Sequence, residues 1–265
     1  MDEFGPPRAQ TREREGQGMD ELDHHIMQDG RRIALRLCRG TGPTLVFLPG
    51  YMSDMSGSKA SAVFEWAAQQ GRACLLLDYS GCGASSGDFA EGTLSCWRDE
   101  VLALIAAHCP GGVVLIGSSM GGWLMLLVGL ALPVQQLAGL VGIAAAPDFT
   151  DWGYDAAQKA TLSGGEPVLE ANPYGPAPTP TYPGLWADGQ ANRLLGVEIA
   201  LTCPVRLIHG QCDTDVPWET SLSLARQLRS ADVQLTLLKD GDHRLSRPAD
   251  IALLLRIVGA LAQAA

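Results

Sequence analysis

Short apolar runs alternate with stretches of helical periodicity along most of the chain. Residues 33–37 follow Asp29-Gly30, a dipeptide suited to a tight turn, and read as the second arm of a β-hairpin. Residues 44–48 form a continuous apolar run closed by Pro49-Gly50, the pattern of a strand buried on both faces. Residues 59–70 read as a helix, with Ala62, Phe64, Trp66 and Ala67 available to a core. The strand pattern recurs at 73–77, 113–116, 140–143, 205–208 and 233–238. Helices are predicted over about 94–108, from near Ser119, over about 218–229 and over about 248–262. Repeated strand–helix units predict a mostly parallel sheet with helices on both faces. No internal repeat is visible.

The rhythm fails between 147 and 203. This stretch carries Pro167, Pro173, Pro176, Pro178, Pro180 and Pro183 together with Trp152, Tyr154, Tyr174 and Trp186. It is too long for an ordinary connection, and its aromatic residues predict a packed lid inserted over the sheet edge. The expected organisation is a flexible tail over 1–23, a core built from 24–146 and 204–265, and a lid over 147–203.

Composition narrows the function classes. With 46% hydrophobic residues the chain of 265 can bury a substantial core. Its net charge of −10 argues against nucleic acid, which needs a basic face, and against docking on anionic membranes. No apolar run reaches the ~18–20 residues of a membrane span. The seven cysteines, Cys38, Cys74, Cys82, Cys96, Cys109, Cys203 and Cys212, include no C-x-x-C pair and read as small packing residues in a reducing compartment. Residues 1–23 hold seven acidic residues and three arginines, unlike a secretory signal or a transit peptide. Met19 is a possible true start. These features predict a cytoplasmic protein.

Gly117-Ser-Ser-Met-Gly121 matches G-x-S-x-G, and so does Gly83-Ala-Ser-Ser-Gly87. The motif is short enough to arise by chance, so context decides. The first copy joins a predicted strand to an apolar helix, the path a nucleophile elbow requires; the second lies inside a loop. Ser119 is therefore the candidate nucleophile rather than Ser85. The alternative role for Ser119 is a helix N-cap.

A serine hydroxyl needs a base within hydrogen-bond reach. His24 and His25 lie near the start, and His108 ends a helix, where a cation would be favoured by the dipole. His209 closes a strand and reads as structural. His243, in the loop between the last strand and the last helix, is the candidate base. The orienting acid should follow a strand between serine and histidine in chain order. Asp213 is the first choice and Asp215 the second, while Asp242 is too close to His243 in sequence to orient its ring. The oxyanion hole requires two backbone donors: the N–H of Met120 in the elbow, and that of Tyr51 in the loop after strand 44–48, with Met52 as the alternative. Phosphate-loop, H-E-x-x-H and dinucleotide signatures are absent, and no cofactor or metal is expected.

Assembled, these residues resemble the α/β-hydrolase superfamily over about 25–263. His209-Gly-Gln-Cys-Asp-Thr-Asp-Val-Pro217 is similar to its H-G-x-x-D-x-x-V-P acid segment, which favours Asp213 over Asp215. Pro49-Gly50 stands where His-Gly is usual. The strings Leu48-Pro-Gly-Tyr51, Asp78-Tyr-Ser-Gly81, Gly117-Ser-Ser-Met-Gly-Gly-Trp-Leu124, Val216-Pro-Trp218 and Asp242-His-Arg244 resemble the tenth group of α/β-hydrolase-domain proteins and its bacterial relatives. The mammalian member of that group is a mitochondrial serine hydrolase, described as an acyl-protein thioesterase and acyl-glucuronide esterase. The resemblance implies an α/β-hydrolase fold and a cofactor-free serine hydrolase of esters or thioesters. The implied substrates are small molecules and acylated protein. A carbon–carbon bond hydrolase, a perhydrolase and an inactive binding module are the competing readings.

Overall fold

The computed structural model describes residues 22–172 and 175–264. The expected tail falls outside these residues except at its end, where Asp23 opens the first strand; Pro173 and Tyr174 of the expected lid also lie outside them.

The predicted hairpin is β1 (Asp23–Ile26) paired antiparallel with β2 (Arg32–Cys38). The chain then alternates β3 (Thr41–Leu48), α1 (Ser58–Gln69), β4 (Arg72–Leu77), α2 (Leu94–His108), β5 (Val113–Ser118), α3 (Met120–Ala131) and β6 (Leu137–Ile143). After residues 144–204 it resumes with β9 (Val205–Gly210), α7 (Glu219–Gln227), β10 (Val233–Leu238) and α8 (Pro248–Ala264). One eight-stranded sheet runs β1-β2-β4-β3-β5-β6-β9-β10, parallel from β4 to β10. The mostly parallel sheet expected from the repeated units is present. All its central parallel strands end at one rim, where groups on the following loops converge.

The central strands are mostly apolar because helices cover both of their faces. One core layer joins Leu75, Leu115 and Trp97 to α3, and the other joins Phe47, Ile116 and Phe64 to α8. Helix α3 is buried from Met120 to Gly129. A helix apolar on every side must be enclosed on every side. Here the sheet lies beneath it, and the Trp123 indole donates to the Asn192 carbonyl above (3.1 Å).

The segment that broke the sequence rhythm contains α4 (Phe149–Trp152), α5 (Ala156–Ser163), a small hairpin of β7 (Val168–Glu170) with β8 (Thr179–Thr181), and α6 (Pro183–Ala191). Its aromatic residues are tied down: Tyr154 Oη lies 2.6 Å from Thr181 Oγ1, Trp186 Nε1 donates to the Thr150 carbonyl, and Trp152 Nε1 donates to that of Pro147. Asp148 clamps the two ends of the segment together. Its carboxylate accepts from the backbone N–H groups of Leu194 and Leu195, both at 2.8 Å.

His108 stands at the helix end where the sequence placed it, closing α2. Burial and the neighbouring His25 lower its pKa. Its Nε2 is buried without a partner, and its ring meets that of His25 edge-on at 5.4 Å.

Candidate active site

Ser119 stands on the sharp turn between β5 and α3, at φ 55° and ψ −120°. A non-glycine residue at positive φ is strained and persists only where its surroundings over-determine it. The Ser119 N–H donates to the Ile143 carbonyl, and its own carbonyl accepts from Gly122 and Ala146. The flanking glycines are required by space. A Cβ on Gly117 would lie 2.3 Å from the Gly121 carbonyl oxygen, and one on Gly121 would lie 2.1 Å from that of Leu48. The Ser119 side chain makes no capping bond to α3, so the N-cap alternative fails.

The hydroxyl turns instead towards His243, whose Nε2 lies 3.1 Å from Ser119 Oγ. His243 Nδ1 lies 2.8 Å from Asp213 Oδ2. The ring nitrogen facing a carboxylate must carry the proton, so Nε2 offers its lone pair to the serine O–H. The histidine sits on the loop after β10. Leu245 in that loop has φ 44° and a buried side chain, and the Asp242 carboxylate accepts from its N–H (2.9 Å). From α1, the Lys59 ammonium donates to the Arg244 carbonyl.

Asp213 follows β9 with its carboxylate fully shielded from solvent. Burial works to raise its pKa, but hydrogen bonds from His209 and His243 overcome that and hold it well below the usual carboxylate range. Its Oδ1 accepts from the N–H groups of Asp215 (2.9 Å) and Val216 (2.8 Å). The second-choice acid, Asp215, thus contributes a backbone donor to Asp213, and Asp242 is engaged within its own loop.

The loop expected to hold the second oxyanion donor packs on the elbow. A Cβ on Gly50 would lie 3.3 Å from Ser119 Cβ, and Tyr79 Oη donates to the Pro49 carbonyl (3.1 Å). Met52 takes φ 54° as the loop turns. Tyr51 and Met120 both line a cavity of about 690 Å3 that also reaches Ser119, His243, Phe149, Trp152 and Lys59. The Tyr51 hydroxyl donates to the Pro180 carbonyl (2.6 Å), joining this loop to the inserted segment.

Ser85 lies elsewhere in function. Its hydroxyl donates to the Asp78 carbonyl and accepts from the Ala34 N–H, an ordinary loop tie. Two further residues lie beside the site: His209, read from the sequence as structural, and Lys59, which the sequence did not single out. His209 is fully buried with its Nε2 3.1 Å from Asp213 Oδ2; its place four residues before the acid was the available signal. Lys59 carried no signal, because only the fold brings α1 beside the His243 loop.

The alpha/beta hydrolase family matches the chain over residues 45–254. Mouse palmitoyl-protein thioesterase ABHD10, named as mitochondrial, is 41% identical over 229 residues, covering 84% of this chain and 76% of that protein. The human protein of the same name is 36% identical over 230 residues, covering 84% and 74%. The structure of mouse alpha/beta hydrolase domain-containing protein 10 superposes with a TM-score of 0.85 at 35% identity, covering 91% of this chain and 98% of that one. The mitochondrial names of these relatives overturn the cytoplasmic placement expected from the acidic start of the chain. That expectation leaned on the composition of residues 1–23, an address signal separate from the physics of the fold. Matching sequence, matching topology and a serine on a strained strand-to-helix turn agree: this chain belongs to the alpha/beta hydrolase family.

Proposed function

We propose that the chain is a serine hydrolase of carboxylic esters or thioesters, with Ser119 as nucleophile, His243 as general base and Asp213 as the orienting acid. The observation that carries this reading is the unbroken hydrogen-bond series Ser119–His243–Asp213. Ser119 Oγ attacks the acyl carbonyl while His243 Nε2 takes its proton. Asp213 holds the ring's tautomer and stabilises the imidazolium. The N–H groups of Met120 and Tyr51 receive the developing oxyanion. The tetrahedral intermediate collapses, His243 protonates the departing alcohol or thiol, and an acyl-serine remains. His243 then activates water, and deacylation returns the free acid.

Residues 147–203 act in this proposal as a lid on the core of 24–146 and 204–265, with Phe149 and Trp152 supplying apolar wall to the acyl pocket. The relatives named palmitoyl-protein thioesterase support an acyl thioester, including acylated protein, as the substrate class. A fluorophosphonate probe tests the nucleophile. Wild type should label at Ser119, and Ser119→Ala should neither label nor hydrolyse p-nitrophenyl esters. Normal labelling or turnover by the variant would overturn the mechanism.

A further inference from the structure

We propose that His209 is a positioning residue for Asp213, a second imidazole that fixes the acid's rotation and shares its charge with His243. The inference rests on the hydrolase reading above and adds a residue to it. His209 is the penultimate residue of β9 and has no solvent exposure. Its Nε2 faces two acceptors, Asp213 Oδ2 and the Val216 carbonyl, both at 3.1 Å. Its Nδ1 lies 2.7 Å from the hydroxyl of Ser221 on α7, itself buried. Two oxygens on one side demand a proton on Nε2. The contacts fit the tautomer that donates through Nε2 and accepts the Ser221 O–H at Nδ1.

The result is one Asp213 oxygen, Oδ2, shared by two imidazole donors, while two backbone N–H groups hold Oδ1. A carboxylate tied at both oxygens has no freedom to rotate away from His243. Each donor to Oδ2 also draws off charge that would otherwise stabilise a protonated His243. Loss of the His209 donor therefore has two consequences. Orientation is loosened, which lowers turnover. The unshared carboxylate favours the imidazolium of His243, so the base remains protonated to higher pH.

Other ionisable groups share the cavity with His243: Lys59 from α1, Asp215 from the loop after β9, Arg244 in its own loop, and Asp54 and Glu170, while Asp242 adjoins it in sequence. They are unchanged in the variants below, so a displaced profile reports on His209.

The experiment compares wild type, His209→Phe, His209→Gln and Ser221→Ala. It reads kcat, KM and the pH profile of kcat/KM on a p-nitrophenyl ester, the fluorophosphonate labelling rate, and Tm. His209→Phe keeps a ring without a donor. It should lose about ten- to hundredfold in kcat, the scale of one hydrogen bond to a charged group. KM should hold, and the acid limb should move up. His209→Gln restores an N–H near Nε2 and should recover most of both effects. Ser221→Ala frees the tautomer and should displace the limb less, in the same direction. It also carries the test if His209→Phe does not fold. An acid limb unmoved in every variant that folds, with activity following Tm alone, would overturn the proposal. Failure of wild type to label at Ser119 would instead overturn the hydrolase reading.

Discussion

Single residues at this site act mainly through backbone strain and charge burial. Ser119 is held at positive φ by bonds to both of its peptide groups, and glycines at 117 and 121 let β5 and α3 close around it. The Asp213 carboxylate is shielded from solvent and held in its charged form by bonds from His209 and His243. Asp213→Asn keeps the shape but weakens the hold on the His243 tautomer, so kcat should fall by roughly 10³–10⁴ with KM little changed. Steady-state kinetics on a neutral ester checks this, and a loss under tenfold would remove Asp213 from the relay. Lys59 offers a different test. Burial, reinforced by Arg244, lowers its pKa to about 8, below the ordinary lysine value near 10.4. Between those two pH values the folded chain has released a proton that the unfolded chain still binds. Unfolding then takes up a proton, so this residue makes stability rise with pH across that window. Denaturant unfolding from pH 7 to 10 should show this upward component in wild type and its loss in Lys59→Met. Identical slopes in the two proteins would mean that the ammonium is not desolvated.

The inserted segment depends on a few polar ties at its base, Asp148 above all. Asp148 is buried, takes a left-handed backbone conformation and accepts two backbone N–H groups from the far end of the segment. Asn tolerates that backbone but keeps one acceptor oxygen. Asp148→Asn should therefore cost about 1–2 kcal/mol in denaturant unfolding. It should raise KM for long acyl esters while leaving the fluorophosphonate labelling rate at Ser119 intact. A variant with wild-type KM would show that the segment does not line the acyl site. The same elements mark where the sequence was legible. Strands such as β5 and the inner end of β3 announce themselves because they are buried on both faces and hence almost wholly apolar. The elbow follows from a glycine motif lying between a strand and a helix. The short elements of the insertion did not announce themselves, since β7, β8 and α4 are too brief for periodicity to register. The approach of His209 to Asp213, and of Lys59 to the Arg244 carbonyl, depends on how chain ends leave the sheet.

At the scale of the whole molecule, three residues spread over more than a hundred positions meet because β5, β9 and β10 run parallel and end on one rim. The charge of the molecule acts on that rim as well. The chain carries a net −10, and the cavity beside His243 is lined by both signs, Lys59 and Arg244 together with Asp54, Glu170 and Asp215. These two influences have different ranges. The Debye length is about 30 Å at 0.01 M salt and about 8 Å at 0.15 M. At low salt an approaching anionic substrate meets the field of the entire molecule, which repels it. Near physiological salt it meets only the groups at the cavity mouth, cations included. The kcat/KM for an anionic thioester such as an acyl-CoA should therefore rise as salt increases from about 0.01 to 0.15 M. A neutral p-nitrophenyl ester of the same acyl chain should show no such change, since it has no charge for either field to act on. A stopped-assay series at fixed pH, run on both substrates, separates the contributions. If acyl-CoA hydrolysis instead fell steeply with salt, the two cations at the cavity would dominate encounter even at long range. The net acidity of the chain would then be irrelevant to how its substrate arrives.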